Sequence, residues 1–219
     1  MARSCKKNRL DASSNSKQCK ILSGKKFVTK FLTRSVLIFA IGIALQACGT
    51  TTDYNFSVPD VQESQYKIPA EVRSITVSVG HPNEAVGVIP METQLVTPFW
   101  RTALEEALDK TAIFQDDAEH KVSINVTILK IDAPAMGFTM VTDVAARYEI
   151  RSRRNGNLLY RRDINSEGVV PLDYAFVGYI RAKESINRAV QKNIAEFINE
   201  IKQNDQIEKI KQILPANSS

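Results

Sequence analysis

Two histidines, His81 and His120, and the cysteine Cys48 are the side chains best suited by type to metal ligation or nucleophilic attack. Neither histidine has a second ligand at metal spacing, and both fall in segments expected to be loops. A lone loop imidazole is usually a solvated group. No Gly-x-Ser-x-Gly elbow occurs, so a hydrolase triad lacks its nucleophile turn. The glycines at 49, 80, 87, 137, 156, 168 and 178 never form a phosphate-cradling pattern. Glu105-Glu106 and Asp116-Asp117 suit acid–base work by type, but a wet helix face and a turn are where carboxylates sit for solvation. The short aliphatic-and-glycine period of a hexapeptide β-helix is absent. The expectation is a chain that is not an enzyme and needs no metal or cofactor.

Three surface groups remain as candidates for binding. Ala133-Pro134-Ala135-Met136-Gly137-Phe138 forms a tip between two strands, where Met136 and Phe138 either meet a partner or lipid tail or fold back over the open end of the core. Asp173-Tyr174-Ala175-Phe176 through Ile180 is aromatic-rich before a helix, with Tyr174 and Phe176 either interface anchors or the packed entry to that helix. Arg151, Arg153, Arg154, Arg161 and Arg162 flank an Asn155-Gly156 turn. They make a positive site for phosphate or carboxylate groups, or protect an edge strand by charge.

Charge is distributed unevenly. Of 219 residues, 43% are apolar and 24% charged, which excludes a disordered chain, a collagen and a multi-span membrane protein. Residues 1–34 hold ten Lys or Arg against one acid, a charge of +9 that leaves −4 for the rest of a chain whose total is +5. The basic balance therefore belongs to the front end and implies no nucleic-acid partner. The ten apolar residues Val36 to Leu45 follow, too short for a bilayer core that needs about 20 helical residues. A charged n-region and a short h-region before a small residue make a secretory signal.

The break Leu45-Gln46-Ala47-Cys48-Gly49 resembles the lipobox of bacterial lipoproteins, with Gln46 an unusual residue at its position. That resemblance implies cleavage before Cys48 and acylation of its thiol and amino group. Two or more fatty chains give lasting attachment, each buried methylene contributing about 0.8 kcal/mol. The retention signal of an Asp after the cysteine is replaced by Gly49, so the expected address is the outer membrane, facing the periplasm. Cys5 and Cys19 lie in the leader and leave no disulfide in the mature chain.

Four units are expected: a signal peptide at 1–47, a flexible tether at 48–70, a folded domain at 71–203 and an amphipathic tail at 204–219. Ile75, Val77 and Val79 alternate as in a half-buried strand. Thr97-Pro98 reads as N-cap and first turn of a helix with Trp100, Leu104, Ala107, Leu108 and Thr111 inside. Val122, Ile124, Val126 and Ile128 alternate until Leu129 and Ile131 shift phase, which predicts a bulge. A strand containing Met140 to Ile150, a two-residue Asn155-Gly156 hairpin turn and a strand from Leu158 follow. The last helix spans 181–201, with Val190, Ile194 and Phe197 inside. The expected fold is α+β, a two-layer sandwich of a four-stranded antiparallel sheet with two helices on one face, in the order strand-helix-strand-strand-strand-helix.

With Cys48-Gly49, Ala103-Leu104-Glu105-Glu106-Ala107-Leu108, Val122-Ser123-Ile124-Asn125-Val126, Arg147-Tyr148-Glu149-Ile150 and Asn187-Arg188-Ala189-Val190, the layout of residues 48–201 resembles the auxiliary lipoproteins of ABC-type envelope transporters and the lipopolysaccharide-assembly lipoprotein. The resemblance implies a non-catalytic envelope protein with a protein partner, acting in lipid transport or outer-membrane maintenance. Two rivals are a lipid or small-ligand carrier, which requires a cavity between helices and sheet, and an enzyme of envelope lipid or glycan metabolism. The second requires Arg162, Glu167, Asp173 and His81 to converge.

Overall fold

The structure is a computed structural model that describes residues 54–214. Cys48, the leader at 1–47, the first part of the tether and residues 215–219 of the tail lie outside the described residues. The described part contains β1 (Ala70–Val79), α1 (Thr97–Thr111), β2 (His120–Asp132), β3 (Met140–Ser152), β4 (Leu158–Val170), α2 (Gly178–Ile201) and α3 (Asn204–Ile213), with the sheet in the order β1-β2-β3-β4. It is an α+β two-layer sandwich.

One pairing differs from the expectation. β2, β3 and β4 are antiparallel neighbours, but β1 pairs parallel with β2, from Ala70 opposite His120 to Val79 opposite Ile128, with a one-residue shift between Val72 and Ser74. The connection explains it: α1 carries the chain back along the sheet, so β2 restarts beside the start of β1. The bulge in β2 falls between Ile128 and Lys130, and Leu129 turns to the opposite face. On that face lies the 80–90 connection that follows β1, whose Val86 N–H donates to the carbonyl of the buried Leu129 at 3.2 Å.

All five expected inner residues of α1 are buried, as are Val190, Ile194 and Phe197 of α2. Both helices lie on the Tyr148 face of the sheet. Trp100 Nε1 donates to Tyr148 Oη (3.3 Å), which donates to Asn193 Oδ1 (2.9 Å). Asn193 Nδ2 donates to the Ile164 carbonyl and to Ser166 Oγ, each at 3.0 Å. Tyr148 also stacks on Phe197 with centroids 4.3 Å apart. Burial pushes the Tyr148 phenol far above its ordinary value, so it stays protonated and able to donate.

Three local readings are corrected. Thr97 is not an N-cap: a 3₁₀ turn over Met91–Val96 runs directly into α1, and the Thr97 hydroxyl donates to the Gln94 carbonyl. The β3–β4 connection is longer than two residues, because the Ser152 N–H pairs with the Asn157 carbonyl and only Gly156 takes positive φ, at 74°. Residues 54–69 are no tether. Phe56, Val58 and Ile68 are buried in the main core, and Phe56 sits edge-on to Trp100 at 6.2 Å. The segment runs along the helix layer, with Asn55 bonded to Asn187 and Gln191, the Gln62 carbonyl to Lys202, and the Ser64 N–H to the Thr111 carbonyl. It forms a strap from the start of α2 to the end of α1. In the tail, α3 folds back and buries Ile207 and Ile210.

Candidate functional site

Strand direction sorts the candidate residues into two groups at opposite ends of the sheet. The 133–139 connection joins the end of β2 to the start of β3, and 171–177 joins the end of β4 to the start of α2. Since β2 and β4 run together against β3, these two loops share one end. The Arg153–Asn157 turn lies at the other, separated by 13-residue strands that span about 40 Å at roughly 3.3 Å per residue.

Arg181 builds the first group. Although charged, it is only 5% exposed, and its guanidinium clasps both loops: Nη1 donates to the Ala175 and Phe176 carbonyls (2.5 and 3.0 Å), Nη2 to the Gly137 carbonyl (2.9 Å). With their carbonyls drawn inward, the neighbouring side chains point out. Phe176 is 98% exposed, Met136 84% and Phe138 79%, and Val177, Tyr179 and Ile180 extend the apolar rim. The tip therefore does not fold over the core. Tyr174 differs, because the Arg188 guanidinium lies 5.0 Å from its ring centroid and also holds the Val169 carbonyl and Glu184. It is 48% exposed, with that contact on one side of its ring.

The start of the strap meets this same end. Tyr54 packs against Phe99 in the first turn of α1, with centroids 6.2 Å apart, and Lys183 Nζ lies 5.6 Å from its ring centroid. Partial burial, and after it the nearby Tyr179 and Glu92, push the Tyr54 phenol above its ordinary value.

At the other end the five arginines do not form one positive site. Arg151 and Arg161 both pair with Glu149, at 2.9 and 3.6 Å, and Arg162 with Glu200 at 3.5 Å. Arg162, a misfit in the inner row of β4, reaches solvent beside the last turn of α2, where Tyr160 also donates to Glu200 at 2.7 Å. Burial, and then that carboxylate, push the Tyr160 phenol far up. Arg153 and Arg154 line an open cleft of about 700 Å³ with Arg73, Glu119, His120, Lys121 and Ser152. Glu71 compensates two of the cations there: hydrogen bonds, from Lys121 first and Arg73 after it, hold its carboxyl below the ordinary range.

The remaining candidates are dispersed. His81 lies two residues past Val79, the end of β1, while His120 opens β2, so in a parallel pair the two imidazoles belong to opposite ends. Glu106 accepts from Lys110 and Ser57, and Glu105 pairs with Arg101. Arg162, opposite Tyr148, and Glu167, opposite Asp143, are five residues apart along β4, and Asp173 lies beyond its end. Among the described residues, no three His, Cys, Asp or Glu are grouped to hold a metal, and no helix is long and apolar enough to cross a membrane.

No protein-family model matches the chain, and no curated protein matches it in sequence. Solved structures give distant likenesses. A Xanthomonas campestris protein of the DUF330 family aligns with TM-score 0.47 and 8% identity, over 73% of this chain and 98% of that one. A Chlamydia trachomatis protein gives 0.40 and 8%, over 61% and 96%. A minor lipoprotein from Acinetobacter baumannii gives 0.39 and 10%, over 61% and 94%. Likeness of this extent assigns no family.

Proposed function

We propose that this chain is a non-catalytic lipoprotein, fixed to the periplasmic side of the outer membrane through Cys48, that serves an envelope machine as an accessory or assembly subunit in lipid transport or outer-membrane maintenance. The observation that carries the reading is Leu45-Gln46-Ala47-Cys48 placed after a basic leader and a ten-residue apolar run. Tyr54 is already packed into the domain, so the lipobox cysteine and the folded domain are near neighbours in sequence. The dispersal of Arg162, Glu167, Asp173 and His81 favours a binding role over the enzyme rival. The carrier rival needs a cavity between helices and sheet, where Trp100, Leu104, Tyr148, Ile194 and Phe197 are packed instead.

The test is the mass of the mature protein together with its membrane partners. A chain that starts at Cys48 and carries fatty acyl groups supports the reading, and a Cys48→Ser variant then accumulates unprocessed. An intact leader with an unmodified thiol refutes it. Affinity purification from solubilised membranes tests the accessory role: a stoichiometric envelope protein supports it, and recovery of the lipoprotein alone counts against it.

A further inference from the structure

We propose that the apolar end of the domain, with Phe176, Phe138 and Met136 at its crest, rests in the surface of the lipid leaflet that holds the anchor. The inference rests on the Cys48 anchor proposed above and adds an orientation to it. Three independent features of the chain meet at this end.

The first is reach. Six peptide units separate Cys48 from Tyr54, which limits the span between them to about 20 Å even when fully extended. Tyr54 is seated on Phe99 and beneath Lys183, in the first turns of the two long helices, and those helices start at the end that carries the two loops. The strap then leads away from that end, toward Thr111 and Lys202. The Arg153–Arg154 end lies the length of a 13-residue strand away, about 40 Å, which is beyond the reach of the anchor segment.

The second feature is the surface itself. Side chains as apolar as Phe176, Phe138 and Met136 project from two separate loops to one crest, with Val177, Tyr179 and Ile180 beside them. A contiguous apolar group of this kind marks a contact surface, and aromatic residues are favoured at the level of lipid headgroups.

The third is rigidity. The Arg181 clasp holds both loop backbones to the start of α2, so the projection is fixed by a buried charge rather than by loose chain. Further along α2, Lys183 and Arg188 each lie over a tyrosine ring, Tyr54 and Tyr174.

The test uses the full lipidated chain in vesicles of phosphatidylethanolamine and phosphatidylglycerol with brominated acyl chains. Phe176→Trp adds a fluorophore at a fully exposed site, so folding is unaffected, and Arg154→Trp adds one at an exposed site at the far end. Emission of the unsubstituted chain supplies the Trp100 background. The expected result is an added emission from Phe176→Trp that shifts to shorter wavelength and is largely quenched by bromine, while that of Arg154→Trp keeps its solvent wavelength and intensity. An unquenched, solvent-like Phe176→Trp on vesicles that float with the acylated protein overturns the orientation and leaves the anchor reading standing. A blue-shifted but unquenched signal also overturns it, because a protein or a second copy then covers the crest. A chain that lacks acyl mass and does not float overturns the anchor reading itself.

Discussion

Tyr148 shows what a single hydroxyl does in this core. It accepts from Trp100 of α1 and donates to Asn193 of α2, so one oxygen on β3 ties both helices to the sheet. Tyr148→Phe keeps the ring stack on Phe197 but leaves the Trp100 N–H and the Asn193 carbonyl oxygen buried without that partner. The expected loss is about 1–3 kcal/mol, read as a lower denaturant midpoint with Trp100 emission as the probe. An unchanged midpoint would mean that the hydroxyl contributes nothing net. On the opposite face, Asp163 accepts two bonds from Arg147 at 2.7 and 2.9 Å, and the guanidinium holds its carboxyl below the ordinary value of 3.8. A depressed carboxylate contributes stability above its unfolded pKa and loses it as pH falls through the folded one. Asp163 is nearly half exposed, so Asp163→Asn costs less than about 1 kcal/mol at neutral pH. The gap between variant and parent closes as the pH drops below about 4. A gap that persists at pH 2 would place the effect of the substitution outside the ion pair.

The contact between β4 and α2 is closer than side chains permit, and Gly168 makes it possible. A Cβ there would stand 2.1 Å from the Ser185 carbonyl oxygen and 2.4 Å from the Ala189 nitrogen, both backbone atoms of α2. The helix cannot yield locally, so Gly168→Ala must lift it from the sheet, at a cost of at least about 1–3 kcal/mol. Gly156→Ala meets open space and carries only the strain of its positive φ, about 1 kcal/mol. Thermal midpoints in the opposite order would contradict this packing. The role of Gly168 was not legible in the sequence, where a glycine in a strand reads only as a weak point, whereas Asn155-Gly156 did mark a turn. The helix stripes and the β2 phase shift at Leu129 were legible, because each is a periodicity of apolar residues along one element. The parallel β1–β2 pairing was not, since direction is set by the connection rather than by the alternation within either strand. The strap escaped for a related reason: Phe56, Val58 and Ile68 are buried singly, in no helical or strand period. Met136, Phe138 and Phe176 were recognisable as apolar loop residues. Whether they point outward is decided by Arg181, a charge one turn into a helix that gave no signal of being buried.

At the scale of the whole molecule, docking of the strap sets how few residues separate Cys48 from the packed core. With Tyr54 to Ile68 docked, only residues 49–53 lie between them. If the strap detached, about twenty residues would separate Cys48 from β1, enough chain for the domain to leave an anchor-proximal position. Phe56 is the side chain that closes the strap over the core, 2% exposed and against Trp100. Phe56→Ala should therefore cost about 3–5 kcal/mol, as removal of a buried ring does elsewhere. Two measurements separate its consequences. Equilibrium unfolding reports the loss of stability, and an unchanged midpoint would show that residues 54–69 are not part of the cooperative fold. Bromine quenching of Phe176→Trp in the Phe56→Ala background reports the effect on orientation. If the docked strap is what holds the apolar end to the leaflet, quenching falls under conditions where the domain is still folded. If the apolar crest binds lipid by itself, quenching persists, and the strap serves stability alone.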